Sequence, residues 1–320
     1  MNQSEIRGHH IKLTTVPLAD LPARAIAPLL REQAAEWRHT LLWDFTRIAR
    51  HTQLLADLRV LSGVLLLDES DSPVGYALCH PTGQKGDCSD FYVHHSIRNR
   101  AANTLLMSGA LLQLEPLLDS LEFTPALTHG IDVDSLPIRP TSITGTAAES
   151  ASVAHISARA RPNASHSIAI RAWHSGDEEE AAAISADFYA SPEAGTRCEL
   201  EVIIGIQATF PFLPEASVMA VNQETGRICG FLVATQAMEG VAYANFLFVA
   251  RRAAGHNLGD RLSIAVCQAL ERLGYHTVTL RRRLDPKLAR FYARMGFTTQ
   301  VELTSYQWRR QTGGLSTARV

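Results

Sequence analysis

A strand, a turn and an amphipathic helix follow one another twice in this chain of 320 residues, and the two copies lie about 155 residues apart. The first copy has a strand over 89–93 and a helix over 103–118. The second copy has a strand over 241–249 and a helix over 259–273. A unit of this length can bury its own core, so the repeat predicts two similar domains.

A segment between the two copies, 137–166, is rich in Ser, Thr, Ala and Pro and has little apolar periodicity. Such a composition is typical of a linker or of a long surface excursion. We therefore predict an N-terminal domain over 1–136, a linker over 137–166 and a C-terminal domain over 167–320.

Apolar periodicity gives the expected elements of both domains. In the C-terminal domain, strands are predicted over 167–172, 217–221, 228–235, 241–249 and 277–280, and helices over 178–188, 259–273 and 286–295. In the N-terminal domain, a helix is predicted over 24–50 and strands over 64–67, 74–79 and 89–93. This order predicts an α/β fold in each domain, with a sheet of mixed strand direction and helices on its faces.

The overall charge and the cysteines exclude several classes of protein. The net charge is -2 and the pI is near 6.7, so no global basic field favours a nucleic acid or an anionic membrane. No apolar run approaches the length of a membrane span, and no secretory signal is visible. The five cysteines include no CxxC pair, which favours reduced thiols and a cytoplasmic location. A homodimer is left open.

The turn between the strand and the helix of the second copy contains Gly255, Asn257 and Gly259. Glycine lets backbone N–H groups approach a ligand, and the helix N-terminus behind the turn adds a partial positive charge. Together they would form a cradle for a phosphate or a pyrophosphate. An ordinary link between a strand and a helix is the alternative.

Basic side chains are concentrated around this turn. Between Arg251 and Arg294 there are ten basic and three acidic residues, in a chain whose total charge is negative. A bound polyanion would explain the excess, and a solvated basic surface is the alternative. Near the end of this stretch, Phe291-Tyr292 closes a predicted helix and Gly296-Phe297 begins the last strand.

The order of Val249, the turn 254–259, the segment 285–292 and Gly296-Phe297 resembles the GCN5-related N-acetyltransferase (GNAT) superfamily. The resemblance implies a centrally splayed sheet, acetyl-CoA or another acyl-CoA as cosubstrate, and Tyr292 as the catalytic acid on the leaving thiolate. The residues implied in binding the cosubstrate are Phe248, Val249, Arg251, Arg252, Ala254, Gly255, His256, Asn257, Leu258, Gly259, Asp260 and Arg283.

Three positions depart from the pattern of this family. Ala254 replaces a basic residue, Asn257 replaces a glycine and Asp285 replaces an asparagine. Asn adopts positive φ more readily than most residues, so the turn can survive. The resemblance implies an acyltransferase that moves an acyl group to a small-molecule amine in a ternary complex. The alternatives are a non-catalytic CoA-binding or interaction module, and transfer to a hydroxyl or to a carrier-protein thiol.

The N-terminal copy resembles a degenerate unit of the same family. Its turn keeps Arg98 but has Ala101 and Asn103 where glycines are expected, and Ala lacks the backbone freedom of glycine. The segment from Trp37 to Trp43-Asp44 is similar to one found in bacterial tandem GNAT proteins.

A general base and a metal site are sought among the remaining polar residues. Glu215, Glu239, Tyr243 and Asn245 lie near the C-terminal strands, and no one of them stands out as the base. The histidine pairs, such as His94-His95, are adjacent, and adjacent side chains on a strand diverge. The sequence contains no HExxH motif and no Cys/His tetrad, so no metal is predicted.

Overall fold

The computed structural model describes residues 12–82, 85–114, 119–123, 130–159, 167–188, 210–250, 253 and 257–309. The described residues fall into two compact units. The first is drawn from Met1–Glu36, Phe45–Thr146 and Glu302–Val320, and the second from Trp37–Asp44 and Ala147–Val301.

In the first unit, a mixed sheet packs against helices. Its strands are β1 (Thr14–Pro17), β2 (Ser62–Leu67), β3 (Pro73–Thr82), β4 (Lys85–Val93) and β5 (Ser120–Phe123), and its helices are α1 (Ala27–Thr40, up to residue 36), α2 (Thr46–Asp57) and α3 (Arg100–Leu114). The strands from β1 to β4 are antiparallel neighbours, and β4 pairs with β5 in parallel. One face of α3, with Leu106, Met107 and Leu111 fully buried, packs into the core of this sheet.

The second unit repeats this plan. In chain order its elements are β6 (Ser142–Ser152, from residue 147), α4 (Val153–Ser157), β7 (Ile168–Ala172), α5 (Asp177–Phe188), β8 (Val218–Asn222), β9 (Ile228–Met238), β10 (Val241–Val249), α6 (Leu258–Arg272), β11 (Thr277–Arg283), α7 (Pro286–Met295) and β12 (Thr298–Arg309, up to residue 301). The strands from β7 to β10 are antiparallel neighbours, and β10 pairs with β11 in parallel. The cores on the two sides of the sheet contain α6 and α5. The predicted fold class is confirmed.

The last strand contributes to the first unit. In β12, residues 302–309 lie in that unit, and Tyr306–Arg309 pair antiparallel with β5, from Tyr306 opposite Phe123 to Arg309 opposite Ser120. Trp308 is buried there, and its ring meets that of Phe123 edge-on, with the centroids 5.5 Å apart. The first unit is therefore completed by residues from the C-terminal end of the chain.

The grouping of residues differs from the predicted division at 137–166. Within that segment, β6 and α4 are regular elements, and Ala147, Ala151, Val153 and Ile156 are buried. Small side chains allow neighbouring backbone to approach closely, so a segment rich in Ala, Ser and Thr can be a buried strand as well as a linker. Residues 160–166 lie outside the described part of the chain.

Most predicted elements match the structure within a few residues, and the exception is the helix predicted over 24–50. There the structure has α1 and α2, separated by residues 41–45, where Leu42 has a φ of +57°. An α-helix cannot continue through such a residue. Among the described residues, no helix combines the length and the apolar character needed to cross a membrane.

Candidate functional site

The strands β10 and β11 part in the middle of the second unit. Their parallel register runs from Val241 opposite Thr277 to Tyr243 opposite Thr279, although both strands continue beyond it. A bulge lies directly after the last paired residue of β10, because Ala244 and Phe246 face consecutive residues of β9 and leave Asn245 between them. Bulges of this kind redirect a strand and often lie beside functional sites.

A cavity of about 30 Å³ lies in the gap between these strands. Its lining includes Asn245 and Leu247 from β10, Cys267 from α6, Leu280 from β11 and Tyr292 from α7. A space of this size holds about one water molecule, so the gap must widen to admit an acyl chain. A larger groove of about 440 Å³, between β7, β8 and α6, shares no lining residue with it.

Helix α6 begins at the turn in which the phosphate cradle is predicted. Asn257, which precedes the helix, has φ +49° and ψ +30°, as predicted from its tolerance of the left-handed region. Its side chain makes no capping hydrogen bond, so the positive end of the helix is not offset by an Asn257 carbonyl. The other predicted residues of this turn, Arg251, Arg252, Ala254, Gly255 and His256, lie outside the described residues.

The first turn of α6 packs against α7. Leu258 is buried in the core. A Cβ added at Gly259 would lie 3.4 Å from the Phe291 ring, in ordinary contact. The Asp260 carboxylate accepts from Nη2 of Arg294, at 3.0 Å to Oδ1 and 3.3 Å to Oδ2, and the Arg294 guanidinium lies over the Phe291 ring. The charge of Asp260 is therefore balanced locally.

Tyr292 lies on α7 and faces the cavity. Its ring packs edge-on against Phe291 and Phe297, with centroids 4.9 and 5.4 Å away. Burial, together with the nearby Glu149 carboxylate, raises the pKa of Tyr292 to about 12 against the opposing effect of Arg282. The hydroxyl is therefore protonated at neutral pH and can donate a hydrogen bond.

Glu149 on β6 was not anticipated from the sequence. Its Oε1 accepts from Nε and Nη2 of Arg282, at 2.9 and 2.6 Å, and from the Thr299 hydroxyl at 3.1 Å. Both charged side chains are more than nine-tenths buried. The other oxygen, Oε2, is buried and has no hydrogen-bond partner among the described residues. The only signal in the sequence was a single carboxylate in a stretch of small uncharged residues.

Several of the clustered basic residues make internal contacts. Arg261 is buried and donates to the Ile168 carbonyl, while Arg282 and Arg294 bind Glu149 and Asp260. Arg283, predicted to meet the phosphates, is exposed at the end of β11. Part of the excess of basic residues therefore stabilises the fold. Fewer positive charges are available to a polyanion than the count of basic residues suggests.

The two predicted pantetheine contacts face opposite sides of the sheet. The Phe248 side chain lies in the core on the α5 face, 5.5 Å from the Phe231 ring. The neighbouring Val249 packs on the α6 face. Side chains alternate along a strand, so only the backbone of Phe248 is available on the side of the cavity.

The candidate bases are spread around the unit. Glu215 and Glu239 are exposed, and the Asn245 amide donates to the Thr235 hydroxyl at 2.7 Å. The Tyr243 ring meets the Trp43 ring edge-on at 5.0 Å, and burial raises the pKa of Tyr243 to about 12. Of these groups, Asn245 lines the same cavity as Tyr292, and Tyr243 is close enough to influence the pKa of Tyr292.

In the first unit, the corresponding turn is filled by its own side chains. The Arg98 guanidinium binds both carboxylate oxygens of Glu36, and its Nε donates to the Val93 carbonyl at 2.8 Å. The Asn99 side chain accepts from the amide of Ala102 at the start of α3. The arginine and one helix-terminal amide are therefore already engaged, which agrees with a degenerate repeat.

Residues 181–297 match the family model described as "Acetyltransferase (GNAT) family". They form a GNAT domain. This domain contains β10, β11, α6 and α7, and hence the cavity, Asn257 and Tyr292. No curated protein matches the sequence.

Solved structures share the fold over most of the chain. A GCN5-related N-acetyltransferase from Sphaerobacter thermophilus is 17% identical, with 92% of this chain and 96% of that chain covered and a TM-score of 0.64. A tandem GNAT protein from the clavulanic acid biosynthesis pathway is 15% identical, with 95% and 100% covered and a TM-score of 0.64. At these identities the likeness shows a tandem GNAT-type fold, which extends beyond the matched GNAT domain.

Proposed function

We propose that the GNAT domain binds an acyl-CoA and transfers its acyl group, acetyl in the simplest case, to an amine of a small molecule. The observation that carries this proposal is the parting of β10 and β11 beyond Tyr243 and Thr279, with Tyr292 and α6 lining the gap. A strand that has lost its neighbour offers free backbone groups to an extended chain such as pantetheine.

The start of α6 suits the diphosphate of the cosubstrate. The first-turn amides and the helix dipole favour an anion there, and the left-handed Asn257 directs the chain into the helix without capping it. Asp260 would repel the phosphates, but Arg294 holds it in an ion pair. Arg251 and Arg252, which precede this turn, are proposed to add positive charge.

The reaction proposed is direct transfer between two bound substrates. The amine nitrogen attacks the thioester carbonyl carbon, the C–N bond forms and the C–S bond breaks with its electron pair on sulfur. The protonated Tyr292 donates a hydrogen bond to the departing thiolate. The proton released by the amine passes to solvent or to the acceptor's own second basic group, since no base is assigned.

A non-catalytic CoA-binding module is the second candidate. Asn245 occupies the bulge beside the gap, and an amide cannot accept the proton of an amine. The small volume of the cavity also favours a site that is closed in the absence of ligand. Such a protein would bind CoA without turnover.

Two measurements separate these functions. Titration calorimetry with acetyl-CoA and CoA measures binding, and a thiol reagent measures CoA release in the presence of a panel of amines. Binding with amine-dependent thiol release supports the transferase. Binding with no release for any amine supports the module, and no binding of any short acyl-CoA contradicts both. The role of the Tyr292 hydroxyl is tested by measuring thiol release in a Tyr292→Phe variant. Tyr275→Phe, in the same unit but outside the cavity lining, is its matched control.

A further inference from the structure

Three side chains of the first unit converge at the end of β4. The His94 Nε2 lies 3.1 Å from Oε2 of Glu32, and the His95 Nδ1 lies 2.7 Å from Oε1 of the same carboxylate. The three ligand atoms all lie within 4.8 Å of one another. Two imidazoles and one carboxylate therefore share a single small region of the surface.

The convergence overturns the expectation that adjacent histidines point apart. His94 and His95 lie in the turn that follows β4, not on the strand, so the alternation of strand side chains does not apply to them. Their rings stack with centroids 4.5 Å apart and an angle of 30° between the planes. Both rings consequently reach the carboxylate that α1 supplies.

We propose that Glu32, His94 and His95 form a binding site for a divalent transition-metal ion, with Zn²⁺ as the first candidate. Zinc bonds to imidazole nitrogen and carboxylate oxygen measure about 2.0–2.2 Å, which places two tetrahedral ligands roughly 3.4 Å apart. The observed separations of 2.7 and 3.1 Å are both somewhat shorter than this distance. Small side-chain movements would open the space for an ion.

The ligand chemistry selects the class of ion. Two imidazole nitrogens favour zinc and its transition-metal neighbours over magnesium and calcium, which prefer oxygen ligands. With three protein ligands, a tetrahedral ion keeps its fourth position for water. His95 has 70% of its side chain exposed, so that position would face solvent.

Neighbouring groups would orient the ligands. The Tyr92 hydroxyl donates to Oε1 of Glu32 at 2.7 Å, and the Ser96 hydroxyl lies 2.7 Å from Nδ1 of His94. The Ser96 backbone amide donates to Nδ1 of His94 at 3.2 Å, which leaves the ring proton on Nε2, facing Glu32. To bind an ion through Nε2, the ring would change to the Nδ1–H tautomer and donate to the Ser96 hydroxyl. Such outer hydrogen bonds fix the rotamer and tautomer of metal ligands. This site lies at the turn that corresponds to the cradle of the GNAT domain, and it does not depend on the proposed function.

The test is calorimetric titration of the full chain, with any affinity tag removed, against ZnCl₂. We expect one Zn²⁺ per chain, and at least about a tenfold loss of affinity in both His95→Ala and Glu32→Gln. His39→Ala is the matched control, because His39 is an exposed histidine on the same helix as Glu32. It should bind zinc as the unaltered protein does.

Cobalt substitution provides a second readout. Co²⁺ bound by nitrogen and oxygen ligands should give visible ligand-field bands without a thiolate charge-transfer band, and the bands should vanish in His95→Ala. Circular dichroism checks that each variant is folded, and Glu32→Gln serves if His95→Ala is not. The chain has a second adjacent histidine pair, His9 and His10. Zinc affinity that is unchanged in both ligand variants, or that is lost only in His9→Ala/His10→Ala, overturns the proposal, as does a thiolate-ligated cobalt spectrum.

Discussion

The geometry of the predicted phosphate cradle depends on Asn257. Its φ is +49°, a conformation that glycine adopts without strain. A β-branched residue would be strained there by about 1–2 kcal/mol of conformational energy. We expect Asn257→Gly to keep acetyl-CoA affinity and Asn257→Val to lower it about tenfold, since 1.4 kcal/mol is a factor of ten. Calorimetry measures the affinity. Equal affinity in the two variants would show that the turn does not set the binding geometry.

Tyr292 should act through its proton over the whole working pH range. Its pKa is raised to about 12, so the hydroxyl stays protonated between about pH 7 and pH 10. We expect Tyr292→Phe to lower turnover with little change in KM, by a factor that is constant across that range. Steady-state rates at several pH values give the ratio. If the ratio of the wild-type rate to the variant rate fell towards 1 as the pH rose to 10, the hydroxyl would be ionising in that range, which would contradict a raised pKa.

The buried pair of Arg282 and Glu149 makes a prediction about stability. Removing the arginine leaves a buried carboxylate without its counter-charge, so Arg282→Ala should lower the free energy of unfolding by about 3–5 kcal/mol. Urea unfolding measures the loss. Arg283→Ala, which removes the exposed neighbour, is the control and should change the stability little.

These residues show what a sequence can and cannot reveal at this scale. The left-handed conformation of Asn257 was predictable, because few residue types tolerate it. The role of Glu149 was not, since its partners Arg282 and Thr299 are more than a hundred residues away in the chain. Contacts of that kind arise only when β6 lies beside β11.

Helix α7 shows how a departure from the family pattern can be structural. The Asp285 side chain caps the helix, accepting from the amides of Lys287 and Leu288 at 2.7 and 2.9 Å. These two hydrogen bonds lower the pKa of Asp285. The acid that replaces the asparagine of the family pattern thus has a structural role as the cap of this helix.

We expect Asp285→Asn to keep the cap and Asp285→Ala to lose it, with a lower Tm only in the second variant. The lowered pKa means that the charged cap stabilises the helix above about pH 4, and that this contribution is lost as the pH falls further. Thermal scans at neutral and acid pH measure the effect. If Asp285→Ala had the same Tm as the unaltered protein at neutral pH, the Asp285 cap would not stabilise the helix.

The ends of α7 were predictable, and those of α1 were not. Pro286 at the first position and Gly296 after the last, with a φ of +98°, are local signals that delimit a helix. The break after Thr40 has no such signal. It coincides with the packing of Trp43 against Tyr243, a contact across two hundred residues of chain that overrides local helix propensity.

At the scale of the whole molecule, the path of β12 decides how the chain is divided. A segment rich in Ala, Ser and Thr suggested a linker over 137–166, but composition does not reveal whether small residues are exposed or packed. The pairing of Tyr306–Arg309 with β5 in the first unit joins positions almost two hundred residues apart. No local sequence pattern predicts a pairing between strands so far apart in the chain.

This pairing predicts that a C-terminal residue stabilises the first unit. Trp308 is buried, packs on Phe123 and donates from Nε1 to the Ile138 carbonyl at 3.0 Å. Trp308→Ala should lower the free energy of unfolding by about 3–5 kcal/mol. Hydrogen-exchange measurements should show faster amide exchange in α3. The exposed neighbour gives the control, Arg309→Ala. Loss of protection confined to the second unit would contradict the assignment of this strand.

The same strand constrains how the protein can be made. During translation the ribosome releases β1 to β5 long before Tyr306–Arg309, so the edge of β5 stays uncovered until those residues have been made. An unpaired edge invites other strands in the meantime. A gene cut between the two repeats would therefore yield an N-terminal fragment prone to aggregation, and adding the 302–309 sequence as a peptide should help to keep it in solution.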